Sequence, residues 1–273
     1  MSRIAECFRG CRASGRTALI PYITGGDPTP ERTVELMHAL VAGGADLIEV
    51  GVPFSDPMAD GPVIQAACSR ALAAGTTPQS LFEVVRRFRQ DDDRTPVVFM
   101  GYANILEAAG YQAFVEQAAA AGVDGLLTVD LPPEEADELS PVAAERGIDL
   151  IYLVAPNTSA QRLERVCTAG GGFIYAVALK GVTGAANLDA QQVAAQVTAI
   201  RCKAELPVAV GFGVRDAQSA AALAPVADGV IVGSALVRMI GECGDTPDLP
   251  ARLEDAARAL RRAMDEATAG GGT

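Results

Sequence analysis

Three acidic residues, Glu49, Asp56 and Asp60, lie close together in the stretch LIEVGVPFSDPMADGPVIQ. Glu49 belongs to an apolar, strand-like run, where an unpaired carboxylate costs free energy and tends to keep its proton. Asp60 lies in a loop that Pro57 and Pro62 stiffen, which restricts the direction of its side chain. A carboxyl group with a raised pKa beside a second, directed carboxylate is suited to general acid–base catalysis. The alternative is structural: a hydrogen-bonded carboxylate in the strand, and aspartates that only form turns.

The other residue types exclude several kinds of active site. The chain has 273 residues with a single histidine, His38, and its only lysines are Lys180 and Lys203. A histidine-based triad is therefore excluded, a zinc site is not expected, and few lysines are available for a Schiff base. If the protein is an enzyme, carboxylates and backbone groups must carry out its reaction.

Glycine-rich turns follow the last three strand-like runs, in KGVTGA, GFGVRD and GSALV. Glycine lets backbone N–H groups approach an anion closely, and a helix that begins directly after a strand points its N–H groups at a phosphate. Phosphate-binding barrels hold the phosphate at the turns after strands 7 and 8. The sequence therefore predicts a phosphate site, with ordinary strand-to-helix turns as the alternative.

The candidate residues lie near the ends of short apolar runs that alternate with Ala-rich amphipathic segments. The runs are 18–24, 47–52, 96–101, 125–130, 150–155, 173–178, 207–212 and 229–234. Continuous apolar character indicates parallel strands covered on both faces, and eight such units predict an α/β fold, a (β/α)₈ TIM barrel. The longest intervals follow runs 2 and 6, which predicts extended loops after strands 2 and 6. A doubly wound sheet is the alternative, although TGGDPTP lacks the G-x-G-x-x-G spacing.

Side-chain alternation predicts which way Glu49 points. If Ile48 and Val50 face the outer helices, then Leu47, Glu49 and Gly51 face the barrel interior. Glu49 is then expected near the C-terminal ends of the strands, which we call the mouth and where such barrels have their active sites. Apolar residues at the strand ends suit a flat ring next to a phosphate. They are Tyr22, Met100, Leu127, Leu153, Tyr175, Phe212 and Ile231.

Composition limits the partners and the compartment. The net charge is −12 and Lys and Arg form no clusters, which argues against nucleic-acid and anionic-membrane partners. No apolar run is long enough to span a membrane, and the N-terminus lacks the apolar segment of a secretory signal. Six scattered cysteines indicate reduced thiols in the cytoplasm. We expect a single domain over 1–273, with a core of about 15–265 and short flexible tails.

Seven stretches together resemble the tryptophan synthase alpha subunit family. They are YITGGDPTP, LIEVGVPFSDPMADGPVIQAACSRAL, MGYANIL, APNTS, GVTGA, VGFGV and DGVIVGSALV. The resemblance covers about residues 15–265, and the stretch after strand 2 is its most specific part. It implies a cofactor-free lyase that cleaves indole-3-glycerol phosphate to indole and glyceraldehyde 3-phosphate. In this retro-aldol step the protonated indole ring accepts the electrons.

The resemblance also implies roles for individual residues. Glu49 is expected to move protons to the ring carbon and from the glycerol hydroxyl, and Asp60 to accept the indole N–H. Tyr175 is expected beside the substrate, and Thr183 on a closing loop that holds Asp60. The implied ring-flanking residues are Phe212 and Leu127, and the implied phosphate-binding residues are Gly184, Gly213, Gly233 and Ser234.

A partner is implied as well: a pyridoxal-phosphate β subunit in an α₂β₂ complex, which receives indole through a tunnel and orders loops 2 and 6. The implied interface residues are Asp56, Pro57, Met58, Asn104, Asp130 and Pro132. Two alternatives stay open from the sequence. One is another phosphate-sugar barrel enzyme, such as an isomerase or epimerase. The other is a catalytically weak scaffold subunit that only activates its partner.

Overall fold

A computed structural model describes residues 2–178, 190–211 and 213–270. In this part of the chain, eight parallel strands close into a barrel in chain order. They are β1 (Ala18–Thr24), β2 (Ile48–Gly51), β3 (Val97–Gly101), β4 (Gly125–Thr128), β5 (Asp149–Val154), β6 (Ile174–Val177), β7 (Val208–Gly211) and β8 (Gly229–Val232). The TIM-barrel prediction is confirmed. The doubly wound alternative is wrong because β1 pairs with both β2 and β8.

Helices connect the strands and cover the outside of the barrel. They are α1 (Arg3–Ala13), α2 (Pro30–Ala42), α3 (Pro62–Ala73), α4 (Pro78–Phe88), α5 (Ala103–Ala109), α6 (Tyr111–Ala121), the 3₁₀ helix η1 (Pro133–Glu135), α7 (Leu139–Arg146), α8 (Ala160–Ala169), α9 (Ala190–Arg201), α10 (Ala217–Leu223), α11 (Ser234–Cys243) and α12 (Leu249–Gly270). Proline in the first turn begins α2, α3 and α4, where its missing N–H and fixed φ are tolerated. None of the helices in the described part combines the length and the apolar character needed to cross a membrane.

The hydrophobic core has two layers that follow the alternation of side chains along the strands. Ile48 and Val50 pack in the outer layer, between strands and helices. Leu47 packs in the inner layer, inside the barrel, together with Val98 of the neighbouring strand. Glu49 lies between Ile48 and Val50 in the sequence, so its side chain points into the barrel, as predicted.

The N-terminal end of the barrel is closed by α1. Its residues Ile4, Phe8 and Cys11 are buried in the inner layer, and the Phe8 ring lies 5.5 Å from the Phe173 ring. The expected short N-terminal tail is thus largely a packed helix, which Ser2 caps by accepting the Ala5 N–H at 3.3 Å. At the other end of the chain α12 continues to Gly270, into the expected C-terminal tail.

The connection between β2 and β3 is longer than a single loop and helix. A loop over 52–61 is followed by two helices, α3 and α4, before β3 begins. This confirms the extended loop predicted after strand 2. The second predicted extended loop, after strand 6, falls mostly on residues 179–189, outside the described part of the chain.

Candidate active site

Glu49 is a fully buried carboxyl group on β2, with 0% of its surface exposed. In register it lies between Tyr22 on β1 and Val98 on β3. Neither carboxyl oxygen has a hydrogen-bond partner among the described residues. Burial raises the pKa of Glu49 to about 8. Near neutral pH this group is mostly protonated, yet it can still give up its proton, which is the property of a general acid–base catalyst.

Two buried tyrosines, Tyr22 and Tyr175, line the barrel near Glu49. Each hydroxyl group has room only because the residue opposite it is a glycine. A Cβ atom at Gly51 would lie 2.1 Å from the Tyr22 hydroxyl, and one at Gly211 would lie 2.1 Å from the Tyr175 hydroxyl. Burial is the main cause that raises both tyrosine pKa values well above the usual range, and the charge at Glu49 adds to it. Both phenols therefore stay protonated and neutral.

Asp60 is half-buried in the loop after β2 and is held by Tyr102. The Tyr102 hydroxyl donates to Asp60 Oδ2 at 2.9 Å and accepts the Ala59 N–H at 3.0 Å. The Asp60 N–H donates to the Pro57 carbonyl at 3.0 Å, and the Tyr102 ring lies 5.4 Å from the Phe54 ring. Burial raises the pKa of Asp60, while the hydrogen bond from Tyr102 opposes this rise. The carboxylate is thus a directed hydrogen-bond acceptor at the mouth.

Tyr102 is a residue that the sequence reasoning missed. It belongs to MGYANIL and directly follows β3, but it lies 42 positions from Asp60. A contact over this separation depends on the fold and not on a local pattern. One signal was present: Tyr102 is a tyrosine at the end of a barrel strand, as Tyr175 is near the end of β6.

Apolar residues form the walls around the two carboxyl groups. Leu127 and Ile231 are buried in the inner layer together with Tyr175. Met100 pairs in register with Leu127 and also packs in the cluster that contains Tyr22. The structure therefore brings together five of the predicted substrate-binding residues: Tyr22, Met100, Leu127, Tyr175 and Ile231.

The turn after β8 offers backbone N–H groups at the same mouth. Gly233 precedes α11, whose first residue is Ser234, and no side chain of a described residue caps this helix N-terminus. A Cβ atom at Gly233 would lie 3.4 Å from Tyr22, so the helix begins beside the apolar walls. Gly213, after β7, has a φ of 82°, which favours glycine. Uncapped helix N-termini attract anions. The remaining candidates, Thr183, Gly184 and Phe212, lie outside the described residues.

Hydrogen bonds join three loops at the mouth. Tyr102 connects the loop after β2 to the loop after β3. The Ala103 N–H donates to Asp130 Oδ1 at 2.7 Å, which connects the loop after β3 to the loop after β4. Met58, at the tip of the first loop, is 81% exposed. The other predicted interface residues lie on the same loops or at the start of α5: Asp56, Pro57, Asn104 and Pro132.

Residue types that could support other chemistry are placed elsewhere. In residues 2–178, 190–211 and 213–270, no group of three His, Cys, Asp or Glu side chains is arranged to hold a metal ion. His38 packs against Phe88, with the ring centroids 4.8 Å apart. All six cysteines are free thiols. What the mouth offers is a proton donor, a carboxylate acceptor, apolar walls and an uncapped helix N-terminus.

The chain is similar to known proteins over almost its full length. A family model described as Tryptophan synthase alpha chain matches residues 8–268. A tryptophan synthase alpha chain from Halorhodospira halophila is 78% identical over 271 residues, which cover 99% of each chain. Subunit alpha of tryptophan synthase from Legionella pneumophila has a crystal structure with a TM-score of 0.90 and 43% identity, over 97% of this chain and 99% of that one. The crystal structure of tryptophan synthase from M. tuberculosis in an aminoacrylate-bound form has a TM-score of 0.86 and 38% sequence identity. The match covers 97% of this chain and 100% of that one.

Proposed function

The chain belongs to the tryptophan synthase alpha chain family, whose members cleave indole-3-glycerol phosphate, and from this premise we propose that Glu49 and Asp60 carry the catalysis. The reaction yields indole and glyceraldehyde 3-phosphate and needs no cofactor. The sequence alone left open another phosphate-sugar barrel enzyme and a catalytically weak scaffold subunit. Membership of this family favours the lyase over both. The observation that carries our assignment is Glu49, a carboxyl group with 0% exposure, no described partner and a pKa raised to about 8.

Glu49 acts first as an acid and then as a base. Protonated Glu49 donates its proton to the ring carbon that bears the glycerol chain, which leaves a positive charge at the ring nitrogen. The bond between this carbon and the glycerol carbon then breaks, and its electron pair returns to the ring. The Glu49 carboxylate takes the proton of the glycerol hydroxyl, whose oxygen becomes the aldehyde carbonyl. One proton is given and one is taken, so Glu49 is regenerated.

Asp60 stabilises the charge that develops at the ring nitrogen. A carboxylate that accepts the indole N–H gains interaction energy as this nitrogen becomes positive, so it favours the transition state over the bound substrate. The 2.9 Å hydrogen bond from Tyr102 supports this role, because it aims the carboxylate and favours its ionised form.

The surrounding residues bind the two ends of the substrate. We assign the ring to the apolar walls at Met100, Leu127 and Ile231, with Phe212 on its other side and Tyr22 and Tyr175 beside it. Thr183 is the proposed loop residue that closes on Asp60. The uncapped N-terminus of α11 supports a phosphate site at this end of the barrel. The proposed phosphate-binding residues are Gly184, Gly213, Gly233 and Ser234.

Membership of this family implies a β subunit as partner, and we propose an α₂β₂ complex that receives indole from this chain. The loop after β2 carries Met58, an apolar side chain that is 81% exposed and is available for contact with this partner. We also infer a single domain, because α12 packs against α2, α10 and α11 and so closes the ring of helices. The six free thiols support a reducing cytoplasm.

Indole release from indole-3-glycerol phosphate tests the assignment. We expect slow release by the purified chain and a steep rise when a tryptophan synthase β subunit is added, because the partner orders the loops at the mouth. Asp60→Asn is expected to lower turnover by roughly 10²-fold or more, since it removes the charge opposite the developing cation. A rate for Asp60→Asn within a factor of two of the original chain would show that Asp60 has another role.

A matched control is available on α5. Glu107 accepts a hydrogen bond from the Tyr111 hydroxyl at 2.9 Å, as Asp60 does from Tyr102, but it is exposed on the helix surface. Glu107→Gln therefore removes a similar carboxylate at the same end of the barrel, and turnover is expected to stay unchanged. An equal loss in both variants would indicate a general effect of charge at the mouth.

A further inference from the structure

An ion pair joins the loop after β1 to α3, the helix that follows the Asp60 loop. Asp27, in the loop after β1, is 1% exposed, and Arg70 of α3 binds both of its carboxylate oxygens. Arg70 Nε donates to Oδ1 at 2.8 Å, and Nη2 donates to Oδ2 at 2.6 Å. A planar guanidinium that donates twice to one carboxylate fixes both the distance and the direction of the contact.

Arg70 also lies against a third element, α11. A Cβ atom at Gly241 would lie 2.8 Å from Arg70 Nη2 and 3.1 Å from Cζ, so the guanidinium occupies the space that a side chain would need there. Closer to the N-terminal ends of the two helices, Ile64 of α3 and Val237 of α11 pack in one cluster with Tyr22. Arg70 therefore sets the position of α3 relative to both the loop after β1 and α11.

The position of α3 determines the position of the Asp60 main chain. The helix begins at Pro62, two positions after Asp60, and the Gln65 side chain donates back to the Asp60 carbonyl at 2.8 Å. Burial raises the pKa of the Cys68 thiol on α3, and the charges of Asp60 and Asp27 add to this rise, so the helix lies close to both carboxylates. Thus Tyr102 directs the carboxylate of Asp60, whereas α3 positions its main chain.

We propose that Arg70 is a positioning residue for the reaction, an inference that rests on the role of Asp60 proposed above. Its pair with Asp27 and its contact with Gly241 hold α3, and α3 holds Asp60 opposite the ring nitrogen. Arg70 lies about 12 Å along the helix from Pro62, so it acts at a distance from Asp60. Misplacing a catalytic group by about 1 Å can lower turnover by about 10²-fold, so this contact is expected to control kcat.

Indole release from indole-3-glycerol phosphate, with a tryptophan synthase β subunit present, tests the proposal. Arg70→Gln is expected to lower kcat about tenfold, because Asp60 shifts together with α3. Arg70→Lys keeps the positive charge but not the two fixed hydrogen bonds, so it should restore part of the rate. Arg32→Gln is the matched control: Arg32 pairs with Glu35 on α2 and with Asp245 after α11, and kcat should stay unchanged.

A second substitution displaces the guanidinium without removing its charge. Gly241→Ala places a methyl group against Arg70 Nη2, while alanine favours the helical conformation of α11. We expect kcat to fall about threefold in a folded protein. This variant decides the question if Arg70→Gln does not fold.

The Asp60→Asn background separates positioning from a structural role. If Arg70 acts through Asp60, Arg70→Gln should lower kcat about tenfold in the original chain but no more than about twofold in Asp60→Asn. Equal factors in both backgrounds overturn the proposal. So does a kcat within a factor of two of the original chain in Arg70→Gln, or in Gly241→Ala where Arg70→Gln is unfolded, and so does an equal loss in Arg32→Gln.

Failure of the catalytic assignment gives a different result. If Asp60→Asn alone keeps the rate of the original chain, then Asp60 has no catalytic role and the inference about Arg70 is overturned with it. If Asp60→Asn is slow and Arg70→Gln is not, only the inference about Arg70 is overturned. Urea denaturation of each variant shows whether a loss of stability accompanies the change in kcat.

Discussion

Two buried carboxyl groups at opposite ends of the barrel have opposite surroundings. Asp124, at the N-terminal end, is 5% exposed, and three donors reach it at 2.8 Å: Arg3, Arg89 and the Val97 N–H. Glu49, on the mouth side, is 0% exposed and has no partner among the described residues. The two groups have the same chemistry and similar burial, so the partners alone distinguish them.

This difference separates stability from reactivity. A buried carboxylate with charged and backbone donors is stabilised as an ion and holds distant parts of the chain together. A buried carboxyl group without donors is kept protonated and lowers the stability of the fold at higher pH, but it is ready to transfer a proton. In a TIM barrel the N-terminal end serves stability and the mouth serves catalysis. Asp124 lies at the first end, and Glu49, our proposed proton donor, lies on the side of the second.

The largest expected effect is on catalysis. Glu49→Gln keeps the volume of the side chain but removes the transferable proton, so turnover should fall by about 10²–10⁴-fold. Indole release from indole-3-glycerol phosphate measures it, with the far-ultraviolet circular dichroism spectrum as a check on folding. Turnover within a factor of two of the original chain would remove Glu49 from the mechanism and make it a structural carboxyl group.

At the N-terminal end of the barrel, a substitution is expected to lower stability and to leave turnover unchanged. Asp124→Asn leaves Arg89, 10% exposed, without its ion-pair partner and should lower the free energy of unfolding by about 3 kcal/mol. Urea denaturation measures this loss, and turnover per folded molecule should be unchanged. If Asp124→Asn reduced turnover as much as Glu49→Gln does, the division between the two ends would not hold.

The pH dependence of stability tests the surroundings of Glu49. The folded protein holds the Glu49 proton up to a pKa of about 8, whereas the unfolded chain releases it near 4.5. Between these values the folded state binds more protons, so stability falls as the pH rises, by up to about 1.4 kcal/mol per pH unit from this group. Relative to the original chain, Glu49→Gln should therefore gain stability from pH 5 to pH 8. A constant difference across this range, measured by urea denaturation, would contradict the raised pKa.

Asp60 stands between these two cases, since it is half-buried and receives one side-chain hydrogen bond. Tyr102→Phe removes that donor and keeps the ring on Phe54, so we expect about a tenfold fall in turnover. The fall should appear in kcat, because a correctly oriented carboxylate stabilises the positive charge of the transition state more than it stabilises the bound substrate. A change in KM alone would assign Tyr102 to substrate binding instead.

Much of this arrangement is predictable from local patterns. Continuous apolar runs of four to seven residues give all eight strands, because both faces of a parallel barrel strand are covered. The period of two along β2 gives the inward direction of Glu49, since Ile48 and Val50 had to face the helices. The roles assigned to the site residues stay predictions. Thr183, Gly184 and Phe212 also lie outside the described part of the chain, so their positions are not compared with the sequence.

The contacts that sequence reasoning missed join residues far apart in the chain. Arg3 and Asp124 are 121 positions apart, and Tyr102 and Asp60 are 42 apart. Each of these side chains has ordinary local surroundings, and their pairing follows only when the barrel closes. The same holds for α1, whose apolar residues Ile4 and Phe8 have a partner surface only at the end of a closed barrel.

The two hydrogen bonds that link the loops after β2, β3 and β4 have a consequence for the entropy of association. Each loop on its own would lose conformational freedom separately when a second protein covers the mouth. Joined through Tyr102 and Asp130, the three loops lose much of that freedom already on folding. Covering this end of the barrel therefore costs less conformational entropy than covering three independent loops would.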